Sequence, residues 1–146
     1  MSAIWFNNNL KAEDLAHLRK NTLAEQIGLE ITEVGPDFLR GTIPVDHRTV
    51  QPYGLLHGGA SCVLAETLGS VASAYVVDHS KFYCVGLEIN ANHVRGVRSG
   101  IVIGTARPLH LGAGTHVWEI KMEDERGKLV CVSRLTVMVI PRNDVQ

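Results

Sequence analysis

The chain has 146 residues, of which 45% are hydrophobic and 20% are charged, and its formal net charge is −1. This length and composition predict one globular domain over residues 1–146 and exclude a largely disordered chain. No long basic run is present, so we expect no nucleic-acid partner, because phosphate binding needs clustered lysine and arginine.

Neither a membrane span nor a secretory leader is expected. The first residues lack a basic segment followed by an apolar run, and no uninterrupted apolar run reaches about 18 residues. Cys62, Cys84 and Cys131 are far apart and form no CxxC motif. We therefore expect reduced core thiols in a cytoplasmic protein, and neither a disulfide framework nor a structural zinc site.

The N-terminal part predicts a helix followed by two strands and a loop. Residues 11–21 predict a short amphipathic helix. Residues 29–34 and 38–45 predict strands around a Gly-Pro-Asp turn, and residues 49–56 predict a loop. The helix is expected to be capped by Asn8 or Asn9 and to bury one face, formed by Leu10, Leu15 and Leu18.

Residues 61–77 predict the one long helix of the chain. This segment is apolar on nearly all sides, so we expect the helix to be buried. Small side chains let such a helix approach a sheet closely. Those around and within the segment are Ala60, Ser61, Ala65, Gly69, Ser70, Ala72, Ser73 and Ala74.

The remainder of the chain predicts strands. Residues 83–91 alternate with a period of two, which predicts one buried face. Residues 100–109 and 115–123 predict further strands, and residues 125–128 predict a hairpin turn before a closing strand at 129–140. Short turns between these strands predict antiparallel pairing. The expected fold class is α+β, with an antiparallel sheet of about six strands wrapped around one long buried helix.

The segment from Gln51 to Ser70 carries the chemistry. It places His57, Gly58 and Gly59 at the start of the long helix, where free backbone N–H groups can stabilise an oxyanion. Glu66 then lies inside the apolar helix, where a carboxylate can act as a base or a nucleophile. The combination indicates acyl transfer or hydrolysis.

Each of these residues also has a purely structural interpretation. Glu66 could face solvent, although its apolar neighbours leave little polar surface to share. Gly58 could be a hinge, and His57 could only cap or pack. Gln51 could be a solvated loop residue. Ser70 shares a helix face with Glu66, but could be a small residue needed for packing.

Other catalytic arrangements are not indicated. The seven histidines show no HExxH or HxxxH spacing, so we expect no catalytic metal. No GxSxG motif occurs, and no cysteine lies beside an evident base. Arg95 and Arg98 form either an exposed charged turn or a site for phosphate groups.

The chain resembles the hotdog-fold thioesterases of the 4-hydroxybenzoyl-CoA thioesterase superfamily over nearly its whole length. This resemblance implies a hotdog fold assembled as a dimer of dimers, and hydrolysis of an acyl thioester carried by coenzyme A or an acyl carrier protein. No separate cofactor is implied. The segments that carry the resemblance are PVDHRT at 44–49, QPYGLLHGG at 51–59, AETLGS at 65–70, VGLEINANH at 85–93 and PLHLG at 108–112.

The resemblance also implies roles for individual residues. Glu66 corresponds to the catalytic carboxylate, and Gly58 supplies the backbone N–H that binds the thioester carbonyl. Gln51, His57 and Ser70 correspond to the residues that accompany them. The ligand contacts fall on Gly86, His93, Val94, Arg95, Gly96, His110, Leu111, Gly112, Ala113, Gly114 and Thr115.

The residues and the resemblance leave three possible functions. The first is a thioesterase, with an aromatic acyl group favoured by the family resemblance alone. The second is a non-catalytic acyl-ligand binder, which would not need an ionisable Glu66. The third is a hotdog dehydratase, which would use His57 together with Glu66.

Overall fold

The structure, a computed structural model, describes residues 2–144. Three short helical pieces precede the first strand, and one long helix separates the second strand from the last four. The elements are α1 (Ala12–Leu15), a 3₁₀ turn (Ala16–Arg19), α2 (Leu23–Gln26), β1 (Glu30–Val34), β2 (Leu39–Pro44), α3 (Gly58–Val76), β3 (Phe82–His93), β4 (Ile101–Leu111), β5 (Thr115–Asp124), β6 (Leu129–Pro141) and a 3₁₀ turn (Arg142–Asp144).

The six strands form one antiparallel sheet in the order β1-β2-β4-β5-β6-β3. The α+β prediction, with six strands packed around one long helix, is confirmed. Short turns account for the pairing of β4 with β5 and of β5 with β6, but they do not account for the partner of β3. β3 pairs with β6 and not with β4, so the connection at 94–100 passes across the end of the sheet. This arrangement leaves β1 and β3 as the two edges.

Helix α3 packs on the sheet through glycines on both surfaces. A Cβ atom on Gly69 would lie 2.5 Å from Cδ2 of Leu135, and one on Gly104 would lie 3.0 Å from Cδ2 of Leu64. An added methyl group would force Leu135 to move and would crowd Leu64, so the helix lies close to the strands. The face toward the sheet is buried and consists of Ser61, Leu64, Ala65, Leu68, Gly69, Ala72 and Ser73.

The opposite face of α3 is only half-buried, so the prediction of burial on all sides is wrong for it. Cys62, Glu66, Ser70 and Val71 lie on this face and retain partial exposure. The sheet covers one side of the helix, and the short N-terminal helices cover the other side incompletely. The helix also begins at Gly58, three residues earlier than predicted.

The prediction of a single helix over residues 11–21 is wrong. The chain forms α1 and a 3₁₀ turn, reverses at Asn21 with a φ of +58°, and then forms α2. A left-handed residue cannot continue a right-handed helix, and the carboxylate of Glu25 holds the turn by accepting from the Asn21 N–H at 2.6 Å. The cap of α1 is Lys11, not an asparagine, and Leu18 is exposed.

The strand prediction for residues 83–91 is right in position and wrong in burial. β3 is an edge strand with a bulge between Gly86 and Glu88. Since a bulge adds one residue, it exchanges the faces that the side chains occupy. Val85 and Leu87 are therefore 41% and 52% exposed, whereas Ile89 packs against the core. The other strands lie within one or two residues of their predicted positions.

A buried polar network links α3 to β5. Trp118 donates from Nε1 to the hydroxyl of Ser73 at 2.7 Å, and Nδ1 of His116 lies 3.1 Å from the same oxygen. All three side chains are almost completely buried. Burial lowers the pKa of His116 below its ordinary value, and the nearby His110 lowers it further.

The neutral state of His116 predicts a pH dependence of stability. An unfolded chain takes up a proton on this histidine below about pH 6.5, while the folded chain resists it, so folding stability must fall as the pH drops. The slope from this one group is at most about 1.4 kcal/mol per pH unit. We expect His116→Gln to be less stable than the parent chain at pH 8, with a smaller difference at pH 5. Urea unfolding at both pH values measures the free energy of unfolding of each protein. A stability difference between the two proteins that does not shrink at pH 5 would contradict the assignment of His116 as a neutral, buried group.

Candidate active site

The start of α3 presents one unused backbone donor. The ring of His57 accepts from the Gly59 N–H at 2.8 Å, and the His57 carbonyl accepts from Ala60 and Ser61. In the described part of the chain, the Gly58 N–H finds no acceptor. The helix dipole adds to its partial positive charge, so this N–H can bind a carbonyl oxygen that becomes negative during reaction.

A cavity of about 370 Å³, here called the loop cavity, lies beside this donor. It brings together Gln51, Gly58 and the segment from His93 to Gly96, which the sequence had indicated separately. A Cβ atom on Gly58 would lie 2.9 Å from Nε2 of His93, so a larger residue there requires the exposed ring of His93 to move. The side-chain oxygen of Gln51 accepts from the Tyr53 N–H, which stabilises the loop.

Glu66 belongs to a second cluster, two turns further along α3. Its carboxylate accepts a hydrogen bond from the hydroxyl of Ser70 at 2.9 Å. The carboxylate also lies against the backbone of Gly86 on β3, where an added Cβ atom would be 2.2 Å from Oε1. Ser70 and Gly86 therefore fix the position of this carboxylate from two sides.

The carboxylate opens onto a mainly apolar cavity of about 320 Å³ between α3 and the N-terminal helices. We call it the N-terminal cavity. A neighbouring cavity of about 270 Å³ shares Leu23, Glu66 and Thr67 with it. The walls of the N-terminal cavity include Leu15, Leu18, Arg19, Leu23, Leu29, Ile31, Glu66, Ser70 and Val71.

Sequence reasoning missed most of these wall residues. Cys62, in the wall of the neighbouring cavity, could have been found from the helical period because it lies four residues before Glu66. Leu15, Arg19 and Leu23 could not, because their position depends on how the N-terminal segment folds over α3.

Within one chain the Gly58 N–H and the Glu66 carboxylate do not converge. They are eight residues apart on one helix, and at 1.5 Å per residue this separates them by about 12 Å along the axis. A thioester carbonyl is a single C=O group, so one chain cannot offer both groups to it.

The other implied ligand segment, from His110 to Thr115, lies at the far end of the sheet. Thr115 pairs with Met138 of β6, whereas His93 pairs with Cys131 of the same strand. Seven residues of a strand span about 23 Å. The two groups of implied ligand contacts are thus not brought together in one chain.

Two of the three cysteines are poor candidates for a second reactive group. Burial raises the pKa of Cys131 to about 11 and also raises the pKa of Cys84, so neither thiol is a good nucleophile. Residues 2–144 contain no cluster of three or more side chains suited to hold a metal ion. No helix among them combines the length and apolarity needed to cross a bilayer.

Comparison with known proteins gives the family. Residues 53–131 match the Thioesterase superfamily. The chain is 47% identical to 1,4-dihydroxy-2-naphthoyl-CoA hydrolase of Escherichia coli, covering 94% of this chain and 99% of that protein. It is also 47% identical to the proofreading thioesterase EntH of Cronobacter turicensis, covering 94% and 98%.

Solved structures agree with this result. The crystal structure of a mutant thioesterase from Pseudomonas aeruginosa superposes with a TM-score of 0.93 at 48% identity, covering 95% of this chain and 99% of that one. The resemblance inferred from the motifs is confirmed, and so is the hotdog arrangement of sheet and helix. The chain belongs to the thioesterase superfamily and is a thioester hydrolase.

Proposed function

We propose that this thioesterase hydrolyses aromatic acyl thioesters of coenzyme A, with Glu66 as the general base or nucleophile and the Gly58 N–H polarising the carbonyl. One observation carries the proposal. The Glu66 carboxylate, oriented by Ser70 and Gly86, belongs to a residue that lines a mainly apolar cavity large enough for an acyl group. An ionisable group at that position has no purpose in a protein that only binds acyl ligands.

The proposed site contains two chains. Since about 12 Å of helix separates Gly58 from Glu66, the substrate carbonyl meets the Gly58 N–H of one chain and the Glu66 carboxylate of another. The loop cavity of the first chain then holds the coenzyme A arm. The N-terminal cavity of the second chain holds the acyl group.

In the reaction, the Gly58 N–H takes up the charge that grows on the carbonyl oxygen. Glu66 either removes a proton from the attacking water or attacks the carbonyl carbon itself and forms an anhydride that water then opens. The C–S bond breaks, the thiolate leaves and is protonated, and the free acid is released. Gln51 and His57 hold the loop and the helix start that present the N–H.

The choice of acyl group and carrier is supported by relatives and by charge. The E. coli relative is named for the CoA thioester of a naphthoic acid, and the N-terminal cavity has mainly apolar walls. Arg95 lines the loop cavity and is exposed, which suits the phosphates of coenzyme A. An acyl carrier protein is the alternative donor, since its phosphopantetheine arm would enter the same cavity.

The assembly we propose is a homotetramer built from dimers, acting in the cytoplasm without a cofactor or metal. β3 is an edge strand with exposed Val85 and Leu87, and pairing with a second copy would cover its unpaired main-chain groups. Such pairing would also bring a second chain to Gly86 and Glu66. The three unpaired cysteines fit a reducing compartment.

The dehydratase alternative has no support from the geometry. His57 is exposed, its Nδ1 is engaged as the helix cap, and it is nine residues from Glu66 on the same helix. The Gly58–Glu66 pair is separated almost as far, so the evidence against a dehydratase is the role of His57 as a helix cap rather than as a free acid or base.

The first prediction concerns Glu66. Glu66→Gln keeps the volume of the side chain and its contact with Ser70 but removes the charge, so the protein should fold and lose its chemistry. We expect kcat for an aroyl-CoA to fall by at least about 100-fold with little change in KM. Glu66→Asp should retain some activity, because its oxygen is displaced by about one methylene.

Glu123→Gln is the matched control, since Glu123 is exposed on β5 away from both cavities. Free-thiol release gives kcat and KM, and circular dichroism confirms folding. A folded Glu66→Gln protein with near-native kcat would show that Glu66 is structural.

The second prediction concerns metal. Hydrolysis of aroyl-CoA by the purified protein should be unchanged after dialysis against a chelator, because the proposed steps need only a carboxylate and a backbone N–H. Thiol release is measured before and after treatment. Activity that is lost on chelation and restored by zinc would contradict the mechanism.

The third prediction concerns the assembly and the shared site. Light scattering at micromolar concentration should give the mass of a tetramer, and a monomer would contradict the proposal.

Gly58→Pro removes the N–H donor, and proline is tolerated in the first turn of a helix. Alone, Gly58→Pro and Glu66→Gln chains should both be inactive.

A dimer that contains one chain of each kind should regain about half of the wild-type rate, because one of its two sites has both groups intact. The two chains carry different tags, so the mixed species can be isolated and assayed after circular dichroism. If the folded mixed species stays inactive, both groups belong to one chain and the proposed site is wrong.

A further inference from the structure

Thr49 is an almost fully buried polar residue between β2 and the loop that carries Gln51. It is 2% exposed. Its hydroxyl donates to the carbonyl of Pro44 at 2.7 Å and accepts from the Asp46 N–H at 3.1 Å. Pro44 is the last residue of β2 and pairs with Ile101 of β4. The hydroxyl therefore ties Thr49 to the end of an interior strand of the sheet.

The main chain of Thr49 holds the start of α3. Its carbonyl accepts from the His57 N–H at 2.8 Å. His57 is the N-cap of the helix, and its own carbonyl accepts from the Ala60 N–H at 2.9 Å. The peptide group that joins His57 to Gly58 is planar and trans, so its N–H points opposite to that carbonyl. The direction of the Gly58 N–H thus follows from how His57 is held on its two sides.

We propose that Thr49 is a positioning residue for thioester hydrolysis. Its hydroxyl fixes its carbonyl, the carbonyl fixes His57, and His57 sets the direction of the Gly58 N–H beside the loop cavity. The inference rests on the proposed function, in which that N–H binds the carbonyl oxygen of the substrate. Thr49 itself lines neither the loop cavity nor the N-terminal cavity, so it acts without touching the substrate.

The direction of this donor decides how much it stabilises the transition state, because a hydrogen bond weakens steeply as it bends. Removal of a complete oxyanion donor lowers kcat by about 100- to 1,000-fold, so misdirection should cost a part of that. Without the Thr49 hydroxyl, the Asp46 N–H and the Pro44 carbonyl both lose this partner, and the turn must shift to replace it. The carbonyl that anchors His57 shifts with the turn.

A purely structural role of Thr49 would give a different result. The turn would then contribute to stability alone, and its loss would lower Tm without changing the rate of the molecules that remain folded. A positioning role instead lowers kcat of the folded enzyme and leaves KM almost unchanged, because the carbonyl oxygen gains charge only in the transition state. Kinetics measured well below Tm therefore separate the two roles.

The test uses two substitutions of Thr49. Thr49→Val keeps the shape of the side chain and removes the hydroxyl. For an acyl-CoA that the parent chain hydrolyses, we expect its kcat to fall by about tenfold or more, with KM changed by less than about twofold. Thr49→Ser keeps the hydroxyl and should retain most of the parent kcat. Free-thiol release gives both constants, at a temperature where circular dichroism shows every protein to be folded.

Thr105→Val is the matched control. Thr105 lies on β4, is partly buried, and its hydroxyl accepts from Nε of Arg40 at 3.1 Å. The substitution also removes the hydrogen bond of a threonine hydroxyl, but that bond involves no residue of α3 or of the loop before it. Its kcat should equal that of the parent.

Hydrogen exchange gives a readout that does not depend on turnover. The His57 amide is protected by its bond to Thr49, so exchange is followed by mass spectrometry in a peptide that covers residues 50–60. Thr49→Val should speed exchange of the protected amides in this peptide by about tenfold or more, because the helix start opens locally. The parent, Thr49→Ser and Thr105→Val proteins should exchange alike.

Three results would overturn the proposal. They are unchanged exchange in this peptide, a Thr49→Val protein with the kcat of the parent, and a loss of kcat in Thr49→Ser as large as in Thr49→Val. If the valine variant does not fold, Thr49→Cys replaces it, since a thiol is only a weak hydrogen-bonding group. Its kcat should then lie below that of Thr49→Ser, and equal values in these two variants reject the assignment.

Failure of the proposed function is seen separately, through Gly58→Pro. If the folded Gly58→Pro protein keeps near-native kcat, its N–H is not the donor, and the positioning role of Thr49 falls with it. If Gly58→Pro is inactive while Thr49→Val keeps the parent kcat, the proposed donor stands and only the role of Thr49 is rejected.

Discussion

The close approach of α3 to the sheet is the constraint on which the rest of the structure depends. Gly69 meets Leu135 on β6, and Gly104 on β4 meets Leu64 of the helix, at distances where an added methyl group would displace or crowd the leucine. Since these contacts fix both the depth and the rotation of the helix, they decide which residues face away from the sheet. Glu66 lies on the half-buried face, with its carboxylate against Gly86 at the β3 edge of the sheet.

A helix fixed in this way acts as a rigid spacer. It keeps its first N–H and the backbone of Glu66 about 12 Å apart along its axis. The two-chain site proposed above follows from this separation, because a second copy of the helix could supply the group that one copy cannot bring to the same carbonyl. Gly86 on β3 makes room for the carboxylate, because an added Cβ atom would meet Oε1 of Glu66.

Local patterns were sufficient to predict the strands, the long helix and the residues around its start. These patterns are the period-two alternation, the turn residues and the motif from Gln51 to Ser70. They reflect local chemistry that one segment carries by itself. The bulge at Leu87 was not predictable, because it depends on how β3 pairs with β6. The break at Asn21 and the position of Arg19 also depend on tertiary contacts, and no local pattern distinguishes them from an amphipathic helix.

The N-terminal segment differs from the rest of the fold in how it is held. A few bonds fix its first residues, including the one from Nε1 of Trp5 to the carbonyl of Gly35 at 2.7 Å and the one from the Phe6 N–H to the carbonyl of Tyr75. It adds no strand to the sheet, and it is held instead by these bonds and by the buried side chains of Trp5, Leu15 and Ala24. Since the same segment supplies one wall of the N-terminal cavity and α3 supplies the other, the shape of this cavity depends on how the segment packs on the helix.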